Sequence, residues 1–107
     1  MKHPYRLKLL ALSLTVAAAL GVSVTHAADI NNGQQLARRW CAACHIVAAN
    51  QTGPTSEAPP FATIAARPGF TAKKIAAFLL DPRPRMPNME LTRTEAADLA
   101  AYIKSLH

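Results

Sequence analysis

Cysteine is scarce in this sequence, and its two copies lie close together. The chain of 107 residues contains only Cys41 and Cys44, so a disulfide between distant segments is excluded. Small domains usually need a disulfide, a metal or another staple, because a short chain buries little apolar surface. The sequence therefore predicts that something other than a long-range disulfide stabilises the fold, and a buried cofactor would serve.

The chain also lacks a dense basic run and any convincing alternation of apolar and polar residues. Its formal net charge is +6, but only +3 remains when the cations of residues 1–27 are left out. This mild excess favours an acidic protein partner or an anionic surface. Nucleic-acid binding would need a basic patch interleaved with aromatic residues. Without strand patterns, the sequence predicts an all-α domain.

No apolar run is long enough for an ordinary membrane span, which needs about 20 residues. Leu9–Val24 carries no charge, follows a cationic start, and is followed by small residues at the minus-three and minus-one positions of a cleavage site after Ala27. This is the layout of a secretory signal peptide. We therefore expect a leader over residues 1–27, one domain over residues 28–107, and export to the periplasm. An uncleaved membrane anchor is the alternative.

Helical spacing and capping residues predict three main helices and one shorter helical turn. Asp29 and Thr71 are potential N-caps, and Thr92 and Glu95 fit a capping box for the last helix. The predicted helical segments are residues 29–43, 61–66, 71–80 and 92–106. Loops are expected at residues 46–60 and 81–90, where prolines interrupt regular structure.

The motif Cys-Ala-Ala-Cys-His at residues 41–45 is typical of covalent haem attachment. Two thiols separated by two residues near the end of a helix can reach one porphyrin edge and form thioether bonds with its vinyl groups. The imidazole of His45 can then ligate the iron on one face. We therefore predict one haem c, covalently bound through Cys41 and Cys44.

Two other kinds of site use a similar motif. A thiol–disulfide oxidoreductase uses Cys-x-x-Cys within a thioredoxin-like βαβ setting, and no strands are visible in this sequence. A structural zinc site needs four ligands, and His107 at the chain end and His26 in the leader are poor candidates to complete one.

The second axial ligand of a haem iron in cytochromes c is commonly the thioether of methionine. Met86 and Met89 both lie in the proline-rich loop, and a stiff loop can hold a weak ligand at little entropic cost. We predict that Met86 ligates the iron and that Met89 fills space beside the haem. The sequence alone leaves either methionine as a possible ligand.

These features resemble the small class I cytochromes c, which are soluble monohaem proteins. The likeness spans nearly all of residues 28–107 and implies a cytochrome c-like fold around one haem. Gly33 matches a small residue at which the first and last helices of the family cross closely. Leu99 and Tyr102 match the apolar and aromatic pair that packs at this crossing.

The resemblance also assigns roles around the haem. Ala58–Phe61 is similar to a family segment whose proline carbonyl accepts a hydrogen bond from the ligand histidine, which gives this role to Pro59. Met86–Thr92 is similar to the methionine-ligand loop. Candidates for binding the haem propionates are Arg67, Lys73 and Arg83. Expected to pack around the haem or in the core are Trp40, Phe61, Phe70 and Phe78. The expected apolar pocket comprises Leu36, Phe61, Ile64, Phe78, Leu79, Leu91, Leu99 and Ile103.

Taken together, the sequence predicts a monomeric periplasmic one-electron carrier with His45 and Met86 as axial ligands, and not an enzyme. Its partners would be redox proteins, some with acidic docking surfaces, and membranes would be reached only through such partners. The main alternative is a haem c subunit of a periplasmic dehydrogenase or oxidase complex. A further alternative is an enzyme or gas sensor in which Met86 is not a ligand.

Overall fold

The computed structural model describes residues 21, 26–53, 58–81 and 84–107. Most of the predicted leader, residues 1–27, lies outside the described residues, and so does Arg83. The elements, in chain order, are α1 (Ile30–Leu36), a π-helical turn (Ala37–Cys41), α2 (Phe61–Ala65), α3 (Ala72–Leu80) and α4 (Arg93–Lys104). The described residues contain no strand, and the predicted all-α fold is confirmed.

Side-chain caps set the beginnings of three of these helices. The carboxylate of Asp29 accepts a hydrogen bond from the backbone N–H of Asn32 at 3.0 Å, and Thr71 caps α3 in the same way. At α4, the Thr92 hydroxyl accepts from the Glu95 N–H at 3.1 Å, and the Glu95 carboxylate accepts from the Thr92 N–H at 3.0 Å. These bonds satisfy N–H groups that a helix leaves unpaired at its first turn.

Helix α1 continues directly into a π-helical turn, Ala37–Cys41. The Ala42 N–H donates to the carbonyl of Ala37, five residues earlier, at 3.1 Å, which is the spacing of a π-helical turn. Ala37 and Cys41 are buried on the inner side of this turn, whereas Trp40 is 49% exposed. Of the two positions predicted for Trp40, the core is therefore wrong, and packing at the haem edge stays a prediction.

Helices α1 and α4 cross at Gly33. A Cβ atom added there would lie 2.0 Å from the carbonyl oxygen of Asp98 and 2.8 Å from the Cβ of Tyr102. Only glycine permits this approach, as the resemblance implied. The buried carboxylate of Asp98 ties the crossing together, because it accepts hydrogen bonds from the Asp29 N–H at 2.7 Å and from the Asn32 side-chain amide at 2.8 Å.

The core lies between α1, α2 and α4. Helix α3 contributes no fully buried residue, and its half-buried Ile75 and Leu79 pack against the edge of the core. The buried apolar residues are Leu36, Ala37, Cys41, Val47, Phe61, Ala65, Ala96, Leu99, Ala100, Tyr102 and Ile103. Because α3 is buried only in part, its inner face borders a space that the other helices leave open.

None of the described helices has both the length and the hydropathy to cross a bilayer.

Candidate functional site

A cavity of about 570 Å³ lies between α3 and the turn that follows the first helix. Its volume falls within the range of cofactor and small-molecule sites, roughly 300–1,000 Å³. The walls are mostly apolar, with two thiols, an imidazole, a thioether and two guanidinium groups among them. The lining residues are Cys41, Cys44, His45, Ala58, Pro59, Phe61, Ile64, Arg67, Ile75, Phe78, Leu79, Arg85, Met86 and Ile103.

Both thiols and the imidazole reach this cavity because the chain turns tightly after the first helix. The N–H groups of Cys44 and His45 both donate to the carbonyl of Cys41, at 3.1 and 2.9 Å. Cys41 is buried, Cys44 is exposed and His45 is half-buried. The three residues that the motif singled out therefore line a single space, with one thiol on the solvent side.

The imidazole of His45 is held in place by the backbone carbonyl of Pro59. Its Nδ1 lies 2.6 Å from the Pro59 carbonyl oxygen. A carbonyl can only accept, so Nδ1 carries the proton and Nε2 keeps its lone pair for a metal. The ring of Phe61 stands beside the imidazole, with ring centroids 5.3 Å apart and a tilt of 49°. These two contacts together fix the orientation of the ring.

Burial also sets the state of the first thiol. It raises the pKa of Cys41 from 9.0 to about 11, because apolar surroundings disfavour the charged thiolate. Enzymes that exchange disulfides instead lower the pKa of their attacking cysteine. A Cys41 without haem would therefore be a protonated thiol at neutral pH, which argues against the thiol–disulfide interpretation of the motif.

The structure separates the two candidate methionines. Met86 is half-buried and lines the cavity, whereas Met89 is half-buried but is not among the lining residues. The chain leaves the cavity wall after Met86 through a turn in which the Asn88 side chain accepts from the Glu90 N–H at 2.9 Å. Glu90 there adopts a positive φ of 53°.

Two arginines place positive charge on the otherwise apolar cavity. Arg67, one of the predicted propionate partners, lines it, and Arg85 does so too. Lys73 is exposed and is not a lining residue, so the structure gives it no place at the site. Arg85 was not among the propionate candidates, although its position next to Met86 in the chain was a signal that could have identified it.

The apolar wall differs in part from the expected one. Ile75 lines the cavity and was missed, although it shares the inner face of α3 with Phe78 and Leu79 at helical spacing. Four residues expected near the haem lie instead in the core or against it: Leu36, Phe70, Leu91 and Leu99. The sequence identified these residues as buried but could not tell the core from the cavity wall.

The chemistry of this cavity fits haem c. A flat apolar macrocycle with two acidic side chains needs apolar walls and cations, and Arg67 and Arg85 supply the cations. Covalent attachment needs two thiols on one side, which are Cys41 and Cys44. Axial ligation needs an oriented imidazole and a soft sulfur, and His45 and Met86 are both at the cavity.

Comparisons with known proteins agree with this chemistry. The family model described as cytochrome C oxidase, cbb3-type, subunit III matches residues 28–103. The chain is also similar to cytochrome c-552 of Bradyrhizobium diazoefficiens, with 50% identity over 100 residues, which cover 94% of this chain and 96% of that protein. No solved structure matches the chain.

Proposed function

Since this chain belongs to the c-type cytochromes, we propose that it is a periplasmic one-electron carrier whose iron is ligated by His45 and Met86. The single observation that supports this proposal best is the meeting of His45, Met86 and the two thiols at one cavity. A covalent haem c supplies an iron that alternates between the ferric and ferrous states. The polypeptide holds, orients and shields it.

Each wall of the cavity contributes to the electron chemistry. The Pro59 carbonyl accepts from Nδ1 of His45, which fixes the ring and makes Nε2 a stronger donor. The Met86 thioether favours the reduced iron and raises the potential. The apolar walls act in the same direction, because they disfavour the more highly charged oxidised state. Arg67 and Arg85 are placed to neutralise the propionates.

An electron carrier also needs an iron with no free coordination position and a haem edge that partner proteins can reach. An iron held by both His45 and Met86 would have no open position for oxygen or peroxide, which distinguishes this proposal from an enzyme or gas sensor. Cys44 is exposed, so the thioether at this residue would lie at the protein surface. Electrons can then pass to a partner without movement of the chain.

We propose that redox partners dock through acidic surfaces. The exposed cations of residues 28–107 include Arg38, Arg39, Lys73, Lys74 and Arg85, and the last of these is at the cavity. Opposite charge on a partner would steer the encounter, and added salt would screen it. The rate of electron transfer with such a partner should therefore fall as ionic strength rises.

A role as the haem c subunit of a dehydrogenase or oxidase is the alternative. The matching family model is named for an oxidase subunit, but the relative that the chain matches along nearly its whole length is named only as cytochrome c-552. Co-purification with a larger catalytic chain would favour the subunit role, and isolation as a monomer would favour the carrier.

Absorption spectra of the exported protein, oxidised and reduced, test the proposal. We expect the colour to stay with the polypeptide after acid extraction, a low-spin spectrum in both states, and no change when carbon monoxide is added to the reduced protein. A colourless protein, or one whose reduced form binds carbon monoxide readily, would contradict it. Recovery in the periplasmic fraction tests the location.

A further inference from the structure

The side chain of Gln51 lies behind the turn that carries His45 and bonds to three backbone groups there. Its Oε1 accepts from the Val47 N–H at 2.8 Å. Its Nε2 donates to the carbonyls of His45 at 3.0 Å and Ala42 at 3.4 Å. No feature of the sequence singled out this residue. One amide group thus ties together the segments before and after the imidazole.

The segment that Gln51 holds is also anchored from two helices. Val47 is 2% exposed, and its carbonyl accepts from the Tyr102 hydroxyl of α4 at 2.5 Å. The carbonyl of Ile46 accepts from the Phe61 N–H, at the start of α2, at 3.0 Å. These two long-range bonds join the segment to α4 and to α2, and the three bonds of Gln51 join it to the turn.

His45 is consequently fixed at both ends. Pro59 holds the imidazole at Nδ1, and Gln51 holds the backbone of the same residue. We propose that Gln51 is a positioning residue for the iron ligand, which maintains the bond between Nδ1 and the Pro59 carbonyl by fixing the turn. This role rests on the proposed ligation by His45, but Gln51 itself does not line the cavity.

The proposal predicts the sign of a change in potential. In a Gln51→Leu variant, all three bonds are lost while the volume of the side chain is nearly kept. Without these bonds the turn becomes more mobile, and the hydrogen bond from Nδ1 to the Pro59 carbonyl weakens. Nε2 is then a poorer electron donor to the iron, and it stabilises the ferric state less. The midpoint potential should rise. If the substitution only loosened the structure and let water into the cavity, the more highly charged ferric form would be favoured, and the midpoint potential would fall.

The experiment compares holoproteins of the wild type, Gln51→Leu, Gln51→Glu and the control Gln35→Leu, whose glutamine is exposed on α1. For Gln51→Leu we expect at least a threefold shift toward the reduced state, about 28 mV at 59 mV per tenfold for one electron, with displaced His45 ring resonances in the NMR spectrum. Gln51→Glu keeps the acceptor for Val47 but loses both donated bonds, so it should displace the same His45 resonances, while its added negative charge favours the ferric iron and should make its potential rise less than that of Gln51→Leu. Gln35→Leu should match the wild type.

A potential that stays constant or falls in Gln51→Leu, or His45 resonances that do not move in either Gln51 variant, would overturn the positioning role. An equal shift in Gln35→Leu would overturn it as well. If the wild type shows the expected haem spectrum and the Gln51 variants do not differ from it, only the role of Gln51 fails. A wild type without haem would refute both this inference and the proposed function.

Discussion

At the scale of single residues, the fit to haem depends on which side chains face the cavity. Two methionines lie three residues apart in one loop, and the structure brings only Met86 to the wall that His45 also lines. Both are half-buried, so burial alone does not distinguish them. What distinguishes the two methionines is the turn at Asn88 and Glu90, where the chain leaves the cavity wall before it reaches the next helix.

Replacing Met86 and Met89 separately tests this assignment. We expect Met86→Ala to lose the methionine–iron absorption band of the oxidised protein and to let the reduced protein bind carbon monoxide. Its midpoint potential should fall by more than about 60 mV, which is one tenfold change for a one-electron couple, because the thioether favours the reduced iron. Met89→Ala is the matched control and should keep all three properties. The assignment would be wrong if the two variants exchanged these outcomes.

At the scale of the elements, local signals set where the helices begin, and one close contact sets how they cross. Asp29, Thr71 and Thr92 all cap the helices that the sequence predicted for them. The crossing of α1 and α4 depends on Gly33, where the two backbones approach too closely for any side chain.

Gly33→Ala isolates this contact, since two physical effects oppose each other. Helix propensity alone would make alanine more stable by about 1 kcal/mol. The added Cβ, however, would lie 2.0 Å from the backbone oxygen of Asp98, and overpacking of this kind typically costs about 1–3 kcal/mol. We expect net destabilisation in denaturant unfolding of the holoprotein.

The control for this variant is Asn31→Ala, because Asn31 is exposed on the same helix. Its free energy of unfolding should stay within about 0.5 kcal/mol of the wild type. If Gly33→Ala were as stable as this control, α1 and α4 would have room to separate and the close crossing would not limit the fold.

At the scale of the whole molecule, the cofactor completes the core. Helix α3 has no fully buried residue, and its inner side chains face a cavity of about 570 Å³. A domain of this size has little apolar surface to spare. The faces of the haem would bury the side chains of α3 and join them to the rest of the core.

We therefore expect a Cys41→Ala/Cys44→Ala variant produced without haem to be largely unfolded. Circular dichroism should show most of the helical signal lost, and thermal unfolding should show no cooperative transition. The haem-loaded wild type, measured under the same conditions, is the control. A fully helical, cooperatively unfolding apo-variant would show that the polypeptide core is sufficient by itself.

The family and the cofactor could be predicted from sequence because their signals are local. Covalent attachment needs Cys41, Cys44 and His45 at fixed spacing, and helix caps act over three residues. For the same reason, predictions from the sequence were wrong for residues whose position in the fold does not follow from the local pattern. Trp40 is apolar but half-exposed and not in the core, and Leu99 is in the core and not at the cavity.

The chemistry of the site is already present in the order of the residues: the attachment motif, the candidate ligands, and the beginnings of the helices that carry them. Which side chains share a space depends on the folded chain. It brought Met86 and Arg85 to the cavity, left Met89 and Lys73 outside the lining, and placed Gln51 behind His45. The physical reason is that covalent and capping chemistry depends on neighbours along the chain, whereas a cavity wall is assembled from segments far apart in sequence.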